Sequence, residues 1–213
     1  MSISTALILI FSSSTLLMFR MTNEYSNASA RILWASDLVF PDMPIEYNSG
    51  NTGRFYVSAR GISCLPDERN SIYDMLYSIK EPSAVAAPEF MDAVLAGQFC
   101  QRYNIPLISI RKTEKNHGEL GRLIVPKTFD KRTPITIFTD IINYGKSAKE
   151  SIEVLRDAGF NASDCLTIMR YGHDDIDGDV SYLTDLKTVL DVGVEMGEIT
   201  KEYADKCLIE LGI

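Results

Sequence analysis

The chain has 213 residues, of which 46% are hydrophobic and 23% charged, with eight prolines; this excludes collagen-like, low-complexity and disordered classes and leaves room for one sizeable core. A formal charge of -8 argues against duplex nucleic acid as a partner, since that binding needs many Lys and Arg contacts to phosphate. The four cysteines, Cys64, Cys100, Cys165 and Cys207, form no CxxC pair, so neither a zinc-finger spacing nor a dense disulfide framework is present, and reduced thiols in a cytoplasmic protein are the plain reading.

Residues Ser4 to Phe19 are mostly apolar, but Ser12, Ser13 and Ser14 interrupt them and no Lys or Arg precedes them, so they match neither a signal peptide nor a spanning helix. Residues 1–20 are therefore read as an apolar extension, an over-extended start in preference to a membrane anchor, and 21–213 as a single domain. From Met21 onward the apolar period changes repeatedly, as it does where helices and strands alternate. Ala30 to Phe40 reads as a helix stopped by Pro41 and Pro44, Phe55 to Ala59 as a short strand, and Pro66 to Ile79 as a helix with proline in its first turn. A regular series follows: strand Ala84 to Ala87, helix Glu89 to Tyr103, strand Pro106 to Ile110, and a polar loop from Arg111 to Arg122. Ile135 to Phe138 reads as a strand, Ala148 to Ala158 as an amphipathic helix, and Cys165 to Met169 as another strand. Two C-terminal helices complete the chain, one with Leu183, Leu186, Leu190 and Val194 on one face, the other from Lys201 to Leu211. Strands separated by helices of this length need crossover connections, which predicts a doubly wound α/β domain with a mainly parallel sheet. Ligands of such sheets sit at the carboxyl ends of the strands, so the loops after Ala87, Ile110, Phe138 and Met169 are where chemistry is expected.

Two segments there have the composition of an anion site. Residues 111 to 132 hold seven Lys or Arg against three acids in a chain that is acidic as a whole, a local charge that suits an anionic ligand, although a solvated basic loop has the same composition. The second segment, Ile135-Thr136-Ile137-Phe138-Thr139-Asp140-Ile141-Ile142-Asn143-Tyr144-Gly145-Lys146-Ser147, runs from a buried strand through an acidic residue and a glycine turn into a helix. The unpaired N-H groups of a helix start bind phosphate, and an adjacent acid holds sugar hydroxyls.

Together these segments resemble the orotate phosphoribosyltransferases, a branch of the type I phosphoribosyltransferases. Arg111, Lys112, Lys115, His117 and Gly118 match the R-K-x-x-K-x-H-G form of that family's mobile loop, and Asp140, Ile141, Ile142 and Gly145 keep its D-D-V-I-T-x-G motif. Ser49-Gly50 followed by Phe55-Tyr56 is similar to the family's Ser-Gly and aromatic pair under the orotate ring, and Arg170 falls at the arginine of its D-R pair. The resemblance covers residues 30 to 211 and implies a type I fold with a small N-terminal hood. It also implies an enzyme that transfers the phosphoribosyl group of phosphoribosyl pyrophosphate to a nitrogen base, with Mg2+ bound alongside that substrate and no separate protein metal site. In that scheme Lys112, Lys115 and His117 cover the departing pyrophosphate with Arg111 beside them, and Asp140 holds the ribose hydroxyls. Asn143, Tyr144, Gly145, Lys146 and Ser147 receive the 5′-phosphate, while Phe55, Tyr56 and Arg170 receive the base. The family arrangement further implies a homodimer with shared active sites, and neither nucleic acid nor membrane is an expected partner.

The departures from the family pattern fall on the ligand loops. Thr139 replaces the first aspartate of the acidic pair, Asn143 and Lys146 replace small hydroxyl residues, Asn48 stands for a lysine, and Met169 for the aspartate of the D-R pair. The glycine-rich pyrophosphate loop reads Pro88-Glu89-Phe90-Met91-Asp92, where bulk and negative charge oppose pyrophosphate. These losses support an alternative, a non-catalytic protein of the same fold that binds a nucleotide or a partner and regulates. The acidic run after His173 lacks the glycine and glutamate of an EF-hand, and two histidines, His117 and His173, cannot build a multi-histidine zinc site. Trp34 reads as a core or subunit-interface residue.

Overall fold

The run Ile135-Thr136-Ile137-Phe138 is β-branched and aromatic, and it becomes the centre of the sheet because both of its faces are apolar. In the computed structural model, which describes residues 23–46, 52–115, 121–172 and 174–211, this run opens strand β6, Ile135–Ile142. The six-stranded sheet also contains β3 (Val85–Pro88), β4 (Leu107–Lys115), β5 (Gly121–Ile124), β7 (Ala162–Arg170) and β8 (Val180–Asp185), in the order β5-β4-β3-β6-β7-β8. Every neighbouring pair is parallel except β4 and β5. Helices α3 (Met91–Tyr103) and α4 (Lys146–Asp157) cover opposite faces: Leu95 and Phe99 of α3 share a core with Phe138, whereas Ile152 and Leu155 of α4 pack with Ile135 and Ile137. This is the expected doubly wound α/β architecture, with α2 (Pro66–Ile79), α5 (Leu186–Met196) and α6 (Lys201–Leu211) adding to the α3 side.

A second, two-stranded antiparallel sheet pairs β1 (Val39–Glu46) with β2 (Thr52–Val57), preceded by helix α1 over 23–35. Trp34 of α1 anchors it: its indole N-H donates to the Val189 carbonyl at 2.7 Å, its ring lies 6.2 Å from that of Phe55, and a Cβ on Gly193 would come within 2.4 Å of it. Trp34 is thus a core residue.

Several boundaries differ from the sequence reading. The first helix ends at 35, and Val39–Glu46 is a strand despite Pro41 and Pro44; a two-stranded ribbon has edges on both sides, and its register shifts between Pro41 and Ile45. Leu183 lies in β8, and α5 starts after Asp185, whose side chain caps the Thr188 N-H at 2.7 Å. The polar stretch after Ile110 continues as strand: β4 runs to Lys115 and turns back as β5, because an antiparallel partner pairs its backbone. The predicted strand Phe55 to Ala59 is instead Thr52–Val57, followed by a 3-10 turn over Ala59–Cys64. Residues 1–20, Asn48, Ser49, Gly50, His117, Gly118 and His173 lie outside the described residues. Among the described residues, no helix is long and apolar enough to cross a membrane.

Candidate active site

Strand order changes direction between β3 and β6, since the chain leaves β3 toward β4 on one side and β6 lies on the other. A crevice opens at the carboxyl end of such a switch point. A cleft of about 560 Å³ is found there, walled by the end of β6, the first turn of α4, Tyr56 and Val57 of β2, Arg60, and Asp92 of α3.

The α4 start is shaped by Gly145. Its φ of +72° is left-handed, and a Cβ there would approach Ile176 Cγ1 to 2.8 Å, so both backbone and space call for glycine. The turn leaves the first N-H groups of α4 facing the cleft, with Lys146 and Ser147 on its wall; no side chain caps them. Asn143 Oδ1 and Thr139 Oγ1 are buried in the same place, and neither has a hydrogen-bond partner.

Asp140 lies within β6, which runs four residues past Phe138, where the sequence reading ended the strand. Its carbonyl accepts from the buried Thr167 hydroxyl at 3.0 Å, and its carboxylate accepts from Arg60 Nε at 2.8 Å. The Arg60 side chain is 51% exposed and that of Asp140 only 8%, so the arginine covers the carboxylate from the solvent side. The Asp140 charge in turn raises the Arg60 pKa. The pairing of β3 with β6 stops at Ala86 and Ile137, and the Asp140 N-H beyond it donates to Asp92 Oδ1 at 3.1 Å. Burial first, then the Asp140 charge and a hydrogen bond to it, push the Asp92 carboxyl up to about 8.

The cleft therefore gathers seven of the residues expected from sequence: Tyr56, Asp140 and the turn from Asn143 through Ser147. Others lie elsewhere. Phe55, 1% exposed, faces the core beside Trp34, because side chains alternate along β2 and Tyr56 takes the cleft side. Arg111 is buried and donates to the Gly121 carbonyl at 3.1 Å, bracing the β4-β5 hairpin. Arg170 donates to Asp174 at 2.7 and 3.2 Å and lies over the Tyr182 ring, outside the cleft wall. Lys112 is exposed on the hairpin, and its backbone N-H donates to Glu89 Oε2 at 3.3 Å. Lys115 ends β4. Arg60 was missed by the sequence reading; it follows β2 by three residues and meets Asp140 across 80 positions, a pairing no local pattern announces.

Among the described residues no group of three or more His, Cys, Asp or Glu side chains could hold a metal by itself. Two carboxylates beside the α4 start would suit Mg2+, which keeps few protein ligands and takes the rest from substrate phosphates and water. Asp140, with Asp92 next to it, is the group that would hold an ion arriving with its substrate.

No family model matches the chain. In sequence it is 26% identical over 178 residues to an orotate phosphoribosyltransferase of Halalkalibacterium halodurans, covering 78% of this chain and 84% of the relative. In structure it superposes on a UMP synthase from Leishmania donovani with a TM-score of 0.72 at 21% identity, covering 88% of this chain and 42% of that one. It superposes on an orotate phosphoribosyltransferase from Aeropyrum pernix with a TM-score of 0.66 at 22% identity, covering 80% of this chain and 98% of that one. The chain thus has the type I phosphoribosyltransferase fold and, in sequence, resembles the orotate phosphoribosyltransferases.

Proposed function

We propose that this protein transfers the 5-phosphoribosyl group of phosphoribosyl pyrophosphate to a nitrogen base, orotate being the base that its sequence relatives favour. The observation that carries the reading is the junction of the α4 start with Asp140 in one cleft. The turn from Asn143 to Ser147 offers N-H groups and a lysine to a 5′-phosphate, and Asp140 accepts from ribose hydroxyls a few ångströms away. Mg2+ bound to the pyrophosphate offsets its charge when present. Transfer then breaks the bond from C1 to pyrophosphate and forms one from C1 to a base nitrogen, with positive charge developing on the ribose ring. Groups that meet charge only as it develops lower the barrier most. Lys112, on the hairpin tied to α4 by the 2.7 Å Arg122 to Glu150 pair, and Lys115 beyond it are assigned to the leaving pyrophosphate. Tyr56 is assigned to the face of the base. The assignment includes a homodimer, in which this hairpin serves the neighbouring subunit.

Pyrophosphate release from phosphoribosyl pyrophosphate, measured over a panel of bases with and without Mg2+, tests the reading. Release that needs both a base and Mg2+, fastest with orotate, is expected. Tight binding of phosphoribosyl pyrophosphate with no release for any base would favour the regulatory alternative, in which the Arg60 cover on Asp140 is permanent.

A further inference from the structure

The cleft contains a second acid that the motif does not supply. Asp92 comes from the first turn of α3, in the segment where negative charge looked incompatible with pyrophosphate. It instead turns toward β6 and accepts from the Asp140 N-H at 3.1 Å, and both acids line the same cleft. Beside them Thr139, only 3% exposed, lines the cleft with a hydroxyl that has no partner, and Asn143 Oδ1 is likewise unpartnered. Buried polar atoms of this kind are rare in a finished structure and mark a place where a polar ligand completes the bonding. The far end of the same cleft is the phosphate-accepting start of α4. A ligand that spans the two ends carries a phosphate at one and hydroxyls, or a cation, at the other.

We propose that Asp92 and Asp140 together form the two-carboxylate site for the ribose hydroxyls and the cation of the substrate, Asp92 standing in space where Thr139 has left a carboxylate out of the sequence motif. The assignment rests on the phosphoribosyl reading above. It removes an apparent defect, since the second acid comes from α3 rather than from β6. The other acid of that segment, Glu89, is engaged away from the pair: its carboxylate accepts from the Lys112 N-H.

The test is equilibrium binding of phosphoribosyl pyrophosphate, with Mg2+, to the wild type, Asp92→Asn, Thr139→Asp and the double variant. Asparagine keeps an acceptor for the Asp140 N-H but cannot supply a carboxylate to the ligand, so Asp92→Asn is expected to bind about tenfold more weakly. Thr139→Asp in that background returns a carboxylate and should recover most of the loss, whereas Thr139→Asp alone should bind no tighter than wild type. Undiminished binding by Asp92→Asn, or a tenfold gain from Thr139→Asp alone, overturns the assignment while leaving the phosphoribosyl reading intact. If Asp92→Asn does not fold, the single Thr139→Asp comparison decides by the same criterion. A wild type that binds no phosphoribosyl pyrophosphate overturns the reading itself, and this assignment with it.

Discussion

Gly145 carries more of the site than any other single backbone position. Its positive φ sets the angle at which α4 leaves β6, and the Ile176 and Asp174 side chains fill the space a Cβ would need. Gly145→Ala is expected to cost about 1 to 2 kcal/mol of stability and to weaken phosphate binding at the α4 start. Thermal melts with and without inorganic phosphate check both parts, and an alanine variant that keeps wild-type stability and phosphate response contradicts the role. The same position was legible in the sequence because strand, acid, glycine and helix start follow one another within thirteen residues. Arg60 and Asp92 were not legible as partners of Asp140, because they approach it from 80 and 48 positions away and meet it only where β3 stops short of β6. Phe55 and Tyr56 were named together, yet adjacent residues of a strand point to opposite faces, and the sequence did not say which one the core would take.

Among the elements, β1 and β8 hid for opposite reasons. Pro41 and Pro44 read as breakers and concealed a ribbon that tolerates them, whereas Leu183 fitted the helical spacing of Leu186 and Leu190 while belonging to a strand. The central elements, β3, β6 and β7 with α3 and α4, were legible because each has one period and a turn at its end. Between elements, Lys80 just past α2 pairs with Asp164 of β7 at 2.7 Å, both side chains less than a third exposed. Burial pushes the Asp164 pKa up, but the Lys80 and Ser163 hydrogen bonds and the Lys80 charge outweigh it, and the net direction is down. A carboxylate whose folded pKa lies below its unfolded value stabilises the fold above the unfolded pKa and loses that contribution as pH falls through the folded one. Lys80→Met is therefore expected to cost about 1 kcal/mol at neutral pH, with the gap to wild type closing as the pH drops through the carboxylate range. Denaturant titrations of both proteins at pH 7 and pH 3 measure it, and a gap that widens in acid would contradict the pairing.

At the scale of the whole molecule, the sheet, its two helical layers and the N-terminal ribbon converge on one cleft, while the β4-β5 hairpin that carries Lys112 and Lys115 lies at the other edge of the sheet from β8. In the proposed homodimer that hairpin completes the neighbouring cleft. Mixing a Lys115→Ala subunit with an Asp140→Ala subunit should then restore part of the activity that each has lost, since one of the two clefts in a mixed dimer has both groups intact. Verified mixed dimers without any recovery would contradict a shared site. The central claim, that the cleft at the end of β6 is where phosphoribosyl transfer takes place, is tested most directly by comparing the rate of orotidine 5′-phosphate formation by wild type and by folded Asp140→Asn, given phosphoribosyl pyrophosphate, orotate and Mg2+. The predicted result is product from the wild type and a rate at least about tenfold lower from the variant, because a neutral amide replaces the charged acceptor. Equal rates from the two proteins would contradict the claim.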